Sequence, residues 1–410
     1  MSLASVSQSE NRRLLHTYDR HKVLLERGRG CYLYDDRGRK YLDFLSGIGV
    51  NALGHGHPAI RKALVRQAES GVLHTSNLFY HEYQAPLAER LCALSGLERA
   101  FFTNSGTEAV EGALKLARAY ARIPSRNGHC PAWHVLAMTN SFHGRTFAAL
   151  SATWTKKYRE PFGPLVPGVR FVRFNDVPDL ARKMDASVCA VLVEPIQGEG
   201  GINAVTPEFF TAARRLTRKH GALLIADEIQ CGLGRTGQYF AYQHYGITPD
   251  IVTIAKPLAA GLPLGAILAR EQVAGALHPG MHGTTFGGGP LACAVALAFL
   301  QTLERERLLP HVREIGAYFR ERLEGLKKKH ATVREVRGLG LMLGLELVSA
   351  ELAKEVAAEM LQRGVIINRT HETALRFLPP FIIGKKHVDH AVATLDSALK
   401  KAESKRRKER

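Results

Sequence analysis

Reactive and small polar residues follow directly after several short apolar runs of the chain. DIVTIA is followed by Lys256, ALLIA by Asp227, and RAFFT by the turn NSGTEA with Ser105, Gly106 and Thr107. A lysine at the end of a buried strand can act as a nucleophile, and a buried carboxylate can hold a cation. A small-residue turn that opens a helix offers free N–H groups to a phosphate. A lysine, a carboxylate and a small-residue turn in these positions predict a site for a phosphorylated, covalently held ligand.

Aromatic, charged or polar residues also follow two further apolar runs. WHVLAMT is followed by Phe142 and Arg145, and SVCAVLV is followed by Glu194, Gln197 and Glu199. Ligands of open parallel sheets bind outside the carboxyl ends of the strands, so we expect all these side chains on one rim. A phosphate cradle, a ring-stacking aromatic, a buried acid and a buried lysine are the parts of a pyridoxal phosphate site.

Each of these features also has an interpretation without function. NSGTEA could simply cap a helix, and Asp227 with Glu228 could end a strand at the surface. Phe142 could belong to the core, and Lys256 could extend to solvent. Compatible side chains at several independent strand ends would then be a coincidence, which favours the functional interpretation.

A glycine-rich segment and a histidine-rich segment suggest other ligands. GLGRTG at 232–237 matches the dinucleotide pattern, but DEIQC separates it from the preceding strand and the residues after it open a helix poorly. HGHP at 55–58 and the other histidines lack metal-ligand spacing on a common helix. Neither a dinucleotide nor a metal is therefore predicted.

Helical and strand-like patterns alternate from about residue 60, which predicts an α/β fold with a parallel sheet covered on both faces. We expect an N-terminal segment at 1–58 that packs with the C-terminal part, and a large ligand-binding domain at 59–289. The Gly-rich strand pair VREVRGLGLMLGLEL and the helices around it predict a smaller α+β domain at 290–410, which ends in a basic tail.

The composition restricts the class of protein. The formal net charge is +18, from 56 Lys and Arg against 38 Asp and Glu, and part of the excess lies in the terminal KKAESKRRKER. Basic residues are not interleaved with aromatics as in single-strand binders, so we expect no nucleic acid. No apolar run has membrane-spanning length.

The six cysteines, Cys130 among them, form no CxxC pair and indicate reduced thiols in a cytoplasm. The Ser-rich start with Glu10 favours an unstructured or capping tail over a targeting peptide.

Longer segments carry a resemblance to a known family. LDFLSGIGVNALGHGHP, LHTSNLFY, FFTNSGTEAVEGALKLAR, SFHGRT, VEPIQGEGG, LLIADEIQCGLGRTG, HGTTFGGGPLACAVA and LRFLPP resemble the class III (ornithine-type) pyridoxal phosphate aminotransferases over nearly the full length. HTSNLFY and VNALGHGHP are most similar to the acetylornithine branch of that family. The resemblance implies fold type I, with a mostly parallel seven-stranded sheet in the large domain.

The resemblance also implies which residues hold pyridoxal 5'-phosphate. Lys256 would bind the cofactor covalently, and Asp227 would pair with the pyridine nitrogen. Phe142 would stack on one face of the ring, with Ile229 against the other face and Gln230 near the phenolic oxygen.

The phosphate group and the assembly follow from the same resemblance. Ser105, Gly106 and Thr107 would hold the phosphate. Thr285, with Thr284 beside it, would join them from the partner subunit, because the family implies a homodimer with shared active sites.

Substrate recognition is implied at three residues. Arg145 would bind the α-carboxylate of N-acetylornithine, and Arg376 that of 2-oxoglutarate. Glu199 would neutralise Arg376 while the amine substrate is bound. Ornithine, succinylornithine, 4-aminobutyrate or a carrier-bound lysine intermediate stay open as alternative amines, and Arg376 could instead pair with an acid for structural reasons only.

Two positions depart from the family pattern. Pro257 replaces the small residue that many relatives have after the lysine, and Gly289 replaces an asparagine. We expect Pro257 to bias Lys256 towards an extended backbone.

Overall fold

The computed structural model describes residues 2–123 and 132–408, so Cys130 lies outside the described residues. The strands are β1 (Leu25–Arg29), β2 (Tyr32–Asp35), β3 (Lys40–Asp43), β4 (Arg99–Thr103), β5 (His134–Met138), β6 (Val169–Val172), β7 (Val188–Val193), β8 (Ile196–Gln197), β9 (Asn203–Ala204), β10 (Leu223–Asp227), β11 (Ile251–Ile254), β12 (Gly265–Ala269), β13 (Val333–Leu339), β14 (Met342–Leu347), β15 (Val365–Ile366), β16 (Asn368–Thr370) and β17 (Ala374–Phe377).

The helical segments fill most of the connections between these strands. They are α1 (Leu3–Arg13), α2 (Ser46–Gly49), α3 (Pro58–Glu69), α4 (Gln84–Ser95), α5 (Gly106–Tyr120), α6 (Phe147–Ser151), α7 (Lys156–Arg159), α8 (Val177–Lys183), α9 (Pro207–His220), α10 (Glu271–Ala274), α11 (Pro290–Arg305), α12 (Leu308–Lys329), α13 (Ala350–Gln362) and α14 (Lys385–Lys408).

A seven-stranded sheet forms the centre, in the order β4-β12-β11-β10-β7-β5-β6. Only β12 runs antiparallel to its neighbours in this sheet. All six residues of β7 are buried, as expected for a strand that helices cover on both faces. The predicted parallel α/β architecture is confirmed, and the carboxyl ends of β4, β11, β10, β7 and β5 share one edge.

Helix α5 begins where the sequence predicts an anion-binding turn. Ser105 caps it from an extended conformation, and its Oγ accepts a hydrogen bond from the Glu108 backbone N–H. Val110, Ala113 and Ala117 lie on its buried face. Packing of that face against the sheet fixes the N-terminus of α5 at the carboxyl edge.

Two four-stranded sheets flank the central one. Strands β1, β2 and β3 form an antiparallel meander whose last strand pairs in parallel with β15, through Leu42 and Val365. The other sheet has the order β13-β14-β17-β16 and is antiparallel, with β17 carrying Arg376. The N-terminal segment therefore lies against the C-terminal part of the chain.

The N-terminal tail, expected to be unstructured or capping, is partly helical. It forms α1, which Ser2 caps by accepting from the Ser5 N–H, although no side chain of α1 is buried. A capped helix satisfies backbone groups that a tail would leave to water. Within the described ranges, no helix is long and apolar enough to cross a membrane.

The GLGRTG segment contacts parts of the chain that are distant in sequence. Arg235 in this segment is fully buried and donates to the backbone oxygens of Leu341 and Pro379. Its guanidinium lies 4.5 Å from the ring centroid of Phe381. Burial lowers the pKa of Arg235 to about 9. The segment thus joins the central sheet to the C-terminal part.

Candidate active site

A cavity of about 420 Å³ opens at the carboxyl edge of the central sheet. Helix α5 and the segments after β5, β10 and β11 provide its walls. Ten of the residues singled out from the sequence line it: Ser105, Gly106, Thr107, Phe142, Arg145, Glu194, Asp227, Ile229, Gln230 and Lys256. Widely separated segments thus converge on one site, as the strand-end argument predicts.

Lys256 has a backbone conformation that the sequence argument did not anticipate. Its φ is +39°, in the left-handed region, and it begins a 3₁₀ turn at Lys256–Ala259. The expectation of an extended lysine is wrong. Pro257 disfavours only the right-handed helical region for its predecessor, and the turn closed by the Leu258 N–H to Ala255 O hydrogen bond, 3.0 Å, selects the left-handed alternative. Such backbones cost about 1–2 kcal/mol and cluster at functional sites.

The Lys256 amine lies near the carboxylates of Asp227 and Glu199 and the guanidinium of Arg376. Burial lowers its pKa, while the charges of Asp227 and Glu199 act in the opposite direction and that of Arg376 adds to the lowering. A depressed pKa increases the neutral, nucleophilic fraction of the amine at neutral pH.

Asp227 is held by three hydrogen-bond donors. Its Oδ1 accepts from the Ile229 N–H at 3.1 Å and from Thr253 Oγ1 at 3.2 Å, and its Oδ2 lies 2.7 Å from His143 Nδ1. Only 3% of Asp227 is exposed, so it does not end the strand at the surface. An ionised carboxylate only accepts, so the proton of the short contact belongs to Nδ1.

His143 is a residue that the sequence argument missed. It lies between Phe142 and Arg145 in SFHGRT, and this position next to a predicted ring-stacking residue was the only available signal. Its side chain is fully buried, and Nε2 has no hydrogen-bond partner among the described residues. Its one side-chain partner there is Asp227, which it orients.

The carboxylate of Glu194 ties two strand ends together. It accepts from the backbone N–H groups of Phe142 and Gly198, each at 3.1 Å. Burial raises its pKa to about 7, with the charge of His143 opposing and that of Asp227 adding to the rise. These two hydrogen bonds place Phe142 beside the cavity.

The start of α5 is shaped for a close ligand. A Cβ added to Gly106 would lie 2.8 Å from two carbons of Ile229, so only glycine fits between these segments. Thr107 Oγ1 accepts from the backbone N–H groups of Arg145 and Thr146 and lies 2.8 Å from Thr146 Oγ1. The first N–H groups of a helix lack intrahelical partners and favour an anion.

Arg376 and Glu199 lie behind the cavity. Arg376 Nη1 donates to Glu199 Oε1 at 2.5 Å and to Gln230 Oε1 at 3.1 Å, and its Nε donates to Asn368 Oδ1 at 3.0 Å. Burial alone would raise the pKa of Glu199, but Arg376 lowers it overall. Gln230 thus links the lined cavity to a buried ion pair.

Thr284 and Thr285 do not line this cavity within one chain. Thr284 Oγ1 accepts from Asn104 Nδ2 at 3.1 Å and from the Gly287 N–H at 3.2 Å. Val50, which directly follows α2, does line the cavity although no sequence signal marked it.

The chain is similar to known proteins over most of its length. The family model "Aminotransferase class-III" matches residues 15–399. The chain belongs to the class III aminotransferases. This aminotransferase is 46% identical over 390 residues to the acetylornithine aminotransferase of Caldanaerobacter subterraneus subsp. tengcongensis, covering 95% of this chain and 98% of the relative. It is 47% identical over 386 residues to the acetylornithine aminotransferase of Methanocaldococcus jannaschii, covering 94% and 95%.

Solved structures give the same fold for this aminotransferase. The ornithine aminotransferase of Toxoplasma gondii ME49 superposes with a TM-score of 0.94 at 34% identity, covering 99% of this chain and 96% of that one. The acetylornithine aminotransferase of Elizabethkingia anophelis has a TM-score of 0.87 at 31% identity, covering 98% and 100%. The fold is the predicted fold type I.

Pyridoxal 5'-phosphate is the cofactor of this family, and another structure of the Toxoplasma gondii enzyme is described with partial occupancy of PLP at its active site. The cavity fits such a group. It combines an amine with a lowered pKa at Lys256, a buried carboxylate at Asp227 and the open N-terminus of α5. This aminotransferase is therefore a pyridoxal phosphate enzyme.

The contact of His143 with Asp227 gives a prediction. His143→Phe keeps a ring but removes the donor to Oδ2, so we expect turnover to fall about tenfold or more, with weaker retention of the cofactor. His143→Asn keeps a side-chain N–H near the same place and should recover much of the loss. Turnover and cofactor content after dialysis measure this. A phenylalanine variant that matches the parent in both would contradict the assignment.

Proposed function

We propose that this aminotransferase transfers the δ-amine of N2-acetylornithine to 2-oxoglutarate, giving N-acetylglutamate 5-semialdehyde and glutamate, a step of arginine biosynthesis. The observation that carries the proposal is the pair of arginines near one lysine. Arg145 lies exposed at the wall of the cavity, whereas Arg376 is buried against Glu199. The names of the relatives at 46% and 47% identity support the same substrate.

The residues at the cavity match the parts of the cofactor. Bound pyridoxal phosphate supplies a carbonyl carbon that exchanges amino groups and a ring that accepts electrons. Lys256 would hold it covalently, and Asp227 would keep the ring nitrogen protonated by its fixed charge. Phe142 and Ile229 would contact the two faces of the ring. Ser105, Gly106, Thr107 and Gln230 would hold its phosphate and phenolic oxygen.

Lys256 also moves the proton in this account. When it is not bonded to the cofactor, its amine would be free within the cavity. The lowered pKa increases the neutral fraction of that amine, which would accept the proton from the substrate carbon and pass it to the reacting carbon of the cofactor. Asp227 and Glu199 then stabilise the ammonium that forms transiently.

The ion pair at Arg376 lets one cavity accept two different substrates. N-Acetylornithine presents an uncharged chain next to the reacting amine, and Glu199 neutralises Arg376 while it is bound. 2-Oxoglutarate presents a carboxylate there, and Arg376 can exchange Glu199 for it because guanidinium binds carboxylates bidentately. The lowered pKa of Glu199 keeps it ionised for the return.

A homodimer is part of the proposal. One segment exposes three large apolar side chains, Leu78, Phe79 and Tyr80. It contacts the loop that carries Phe286, which is also exposed. In this contact Asn77 Nδ2 donates to Thr284 O at 3.0 Å. Exposed apolar patches of this kind are typical of protein interfaces. A second copy on this patch would bring the partner subunit's Thr285 and Thr284 to the phosphate.

A panel of amines tests the substrate. Free ornithine would place an ammonium beside the Arg145 guanidinium, and 4-aminobutyrate is one carbon, about 1.5 Å, too short to reach it. We expect kcat/KM for N-acetylornithine with 2-oxoglutarate to exceed both by about tenfold or more. Succinylornithine and the carrier-bound lysine intermediate complete the panel. A clear preference for ornithine or 4-aminobutyrate would contradict the proposed substrate.

A further inference from the structure

The guanidinium of Arg145 lies in a corner formed by two aromatic rings. Its Cζ is 3.6 Å from the ring centroid of Tyr158 and 5.5 Å from that of Phe142. The two rings stand at 89° to each other with centroids 6.3 Å apart. A cation over an aromatic face is attracted by the ring, most strongly at short distances. The face of Arg145 is therefore held mainly by Tyr158.

The edge of the same guanidinium is free. Among the residues that the structure describes, the Arg145 side chain has no hydrogen bond or ion pair, only its two ring contacts. Arg376, in contrast, is held by Glu199, Gln230 and Asn368. Stacking leaves all N–H donors of an arginine available, whereas ion pairing uses them.

The backbone of Arg145 is fixed independently of the rings. Its N–H donates to Thr107 Oγ1 at 3.1 Å, and the next N–H, of Thr146, donates to the same oxygen at 3.2 Å. These backbone contacts do not fix the orientation of the side chain, which depends on Tyr158. Tyr158 belongs to the short helix α7, a separate segment. The Tyr158 hydroxyl has no hydrogen-bond partner within the described residues, so its ring is the part that matters.

We propose that Tyr158 is a positioning residue that sets the preference for ω-amines with a distant carboxylate, by holding Arg145 with its N–H edge towards that carboxylate. This rests on the proposed function, in which Arg145 binds the α-carboxylate of the amine substrate. An arginine without the stack has to be ordered at each binding event, and that loss of side-chain freedom weakens binding.

Two variants at one position test the proposal. Tyr158→Leu removes the aromatic face, and Tyr158→Phe keeps it and removes only the unpartnered hydroxyl. For Tyr158→Leu we expect KM for N-acetylornithine to rise about three- to tenfold, with kcat nearly unchanged. KM for 2-oxoglutarate should stay at the parent value, because Arg376 has its own partners. Tyr158→Phe should retain the low KM for the amine.

A substrate without the carboxylate provides a further readout. N-Acetyl-1,4-diaminobutane keeps the reacting amine and the acetyl group but offers nothing to Arg145. Its kcat/KM should be the same for the parent and for Tyr158→Leu. Equal increases of KM for both natural substrates, or equal effects of the leucine and phenylalanine variants, would overturn the inference, and thermal unfolding verifies that each variant is folded.

Arg145→Gln separates this inference from the proposed function. If Arg145→Gln leaves KM for N-acetylornithine unchanged, the role of Arg145 itself is wrong. If Arg145→Gln raises that KM and Tyr158→Leu does not, the role of Arg145 stands and the inference about Tyr158 fails.

Discussion

Lys256→Ala is expected to lower turnover by about 10⁴-fold or more, the largest effect of any substitution in this chain. In the proposed function, the variant loses both the amine that holds the cofactor and the base that moves the substrate proton. The proposed anchor and base are one side chain. Asp227 and Glu199 are the acids whose charges act most strongly on Lys256, and both are occupied by hydrogen bonds or an ion pair, so we expect neither to replace it. Steady-state turnover with N-acetylornithine and 2-oxoglutarate measures the loss.

Lys115→Ala is the matched control for this variant. Lys115 lies on α5, exposed, with its Nζ 2.9 Å from His282 Nδ1 and outside the residues that line the cavity. We expect it to keep parent turnover. A Lys256→Ala enzyme with normal turnover would contradict the whole assignment of the site.

Asp227→Asn is expected to lower kcat by about 10³-fold, because it removes a fixed negative charge from a water-excluded site without changing the shape of the side chain. The three donors that converge on the carboxylate increase the expected loss of kcat. Ile229 N–H, Thr253 Oγ1 and His143 Nδ1 all donate to Asp227, and an amide nitrogen would oppose one of these donors. Single-turnover measurements separate this loss from weaker cofactor binding.

The adjacent residue gives the matched control for Asp227. Only 1% of Glu228 is exposed, and its carboxylate accepts from the backbone N–H groups of Ala241 and Tyr242 at 2.9 and 2.8 Å. Burial raises its pKa to about 7, so the neutral form that an amide resembles is substantially populated at neutral pH. Glu228→Gln should lower the thermal midpoint and keep kcat of the folded enzyme within about threefold. Equal losses of kcat in both variants would contradict the different roles.

The positions of the central strands could be predicted because their residues carry local information. Runs such as SVCAVLVEP and DIVTIAK are β-branched, apolar and bounded by turn residues, and both form strands of the parallel sheet. The strand-end rule then places Asp227 and Lys256 on one edge. Ser105 and Gly106 followed from the chemistry of a helix start.

Long-range contacts could not be predicted from local pattern. His143 is recognised as an Asp227 partner only once β5 and β10 are placed in one sheet with β7 between them. Likewise Val50 reaches the cavity from the N-terminal segment, far away in the sequence. The left-handed backbone of Lys256 depends on a turn closed by the neighbouring residues, and the preference of a residue before proline was too weak a guide.

The attachment of the cofactor to Lys256 is the claim on which the account depends most directly. Borohydride reduction of the holoenzyme fixes the covalent link between cofactor and lysine, and peptide mass spectrometry after digestion locates it. We predict the phosphopyridoxyl mass on Lys256, with none on the other lysines and none in Lys256→Ala. A label on another lysine, or an unlabelled protein that still turns over, would contradict the account.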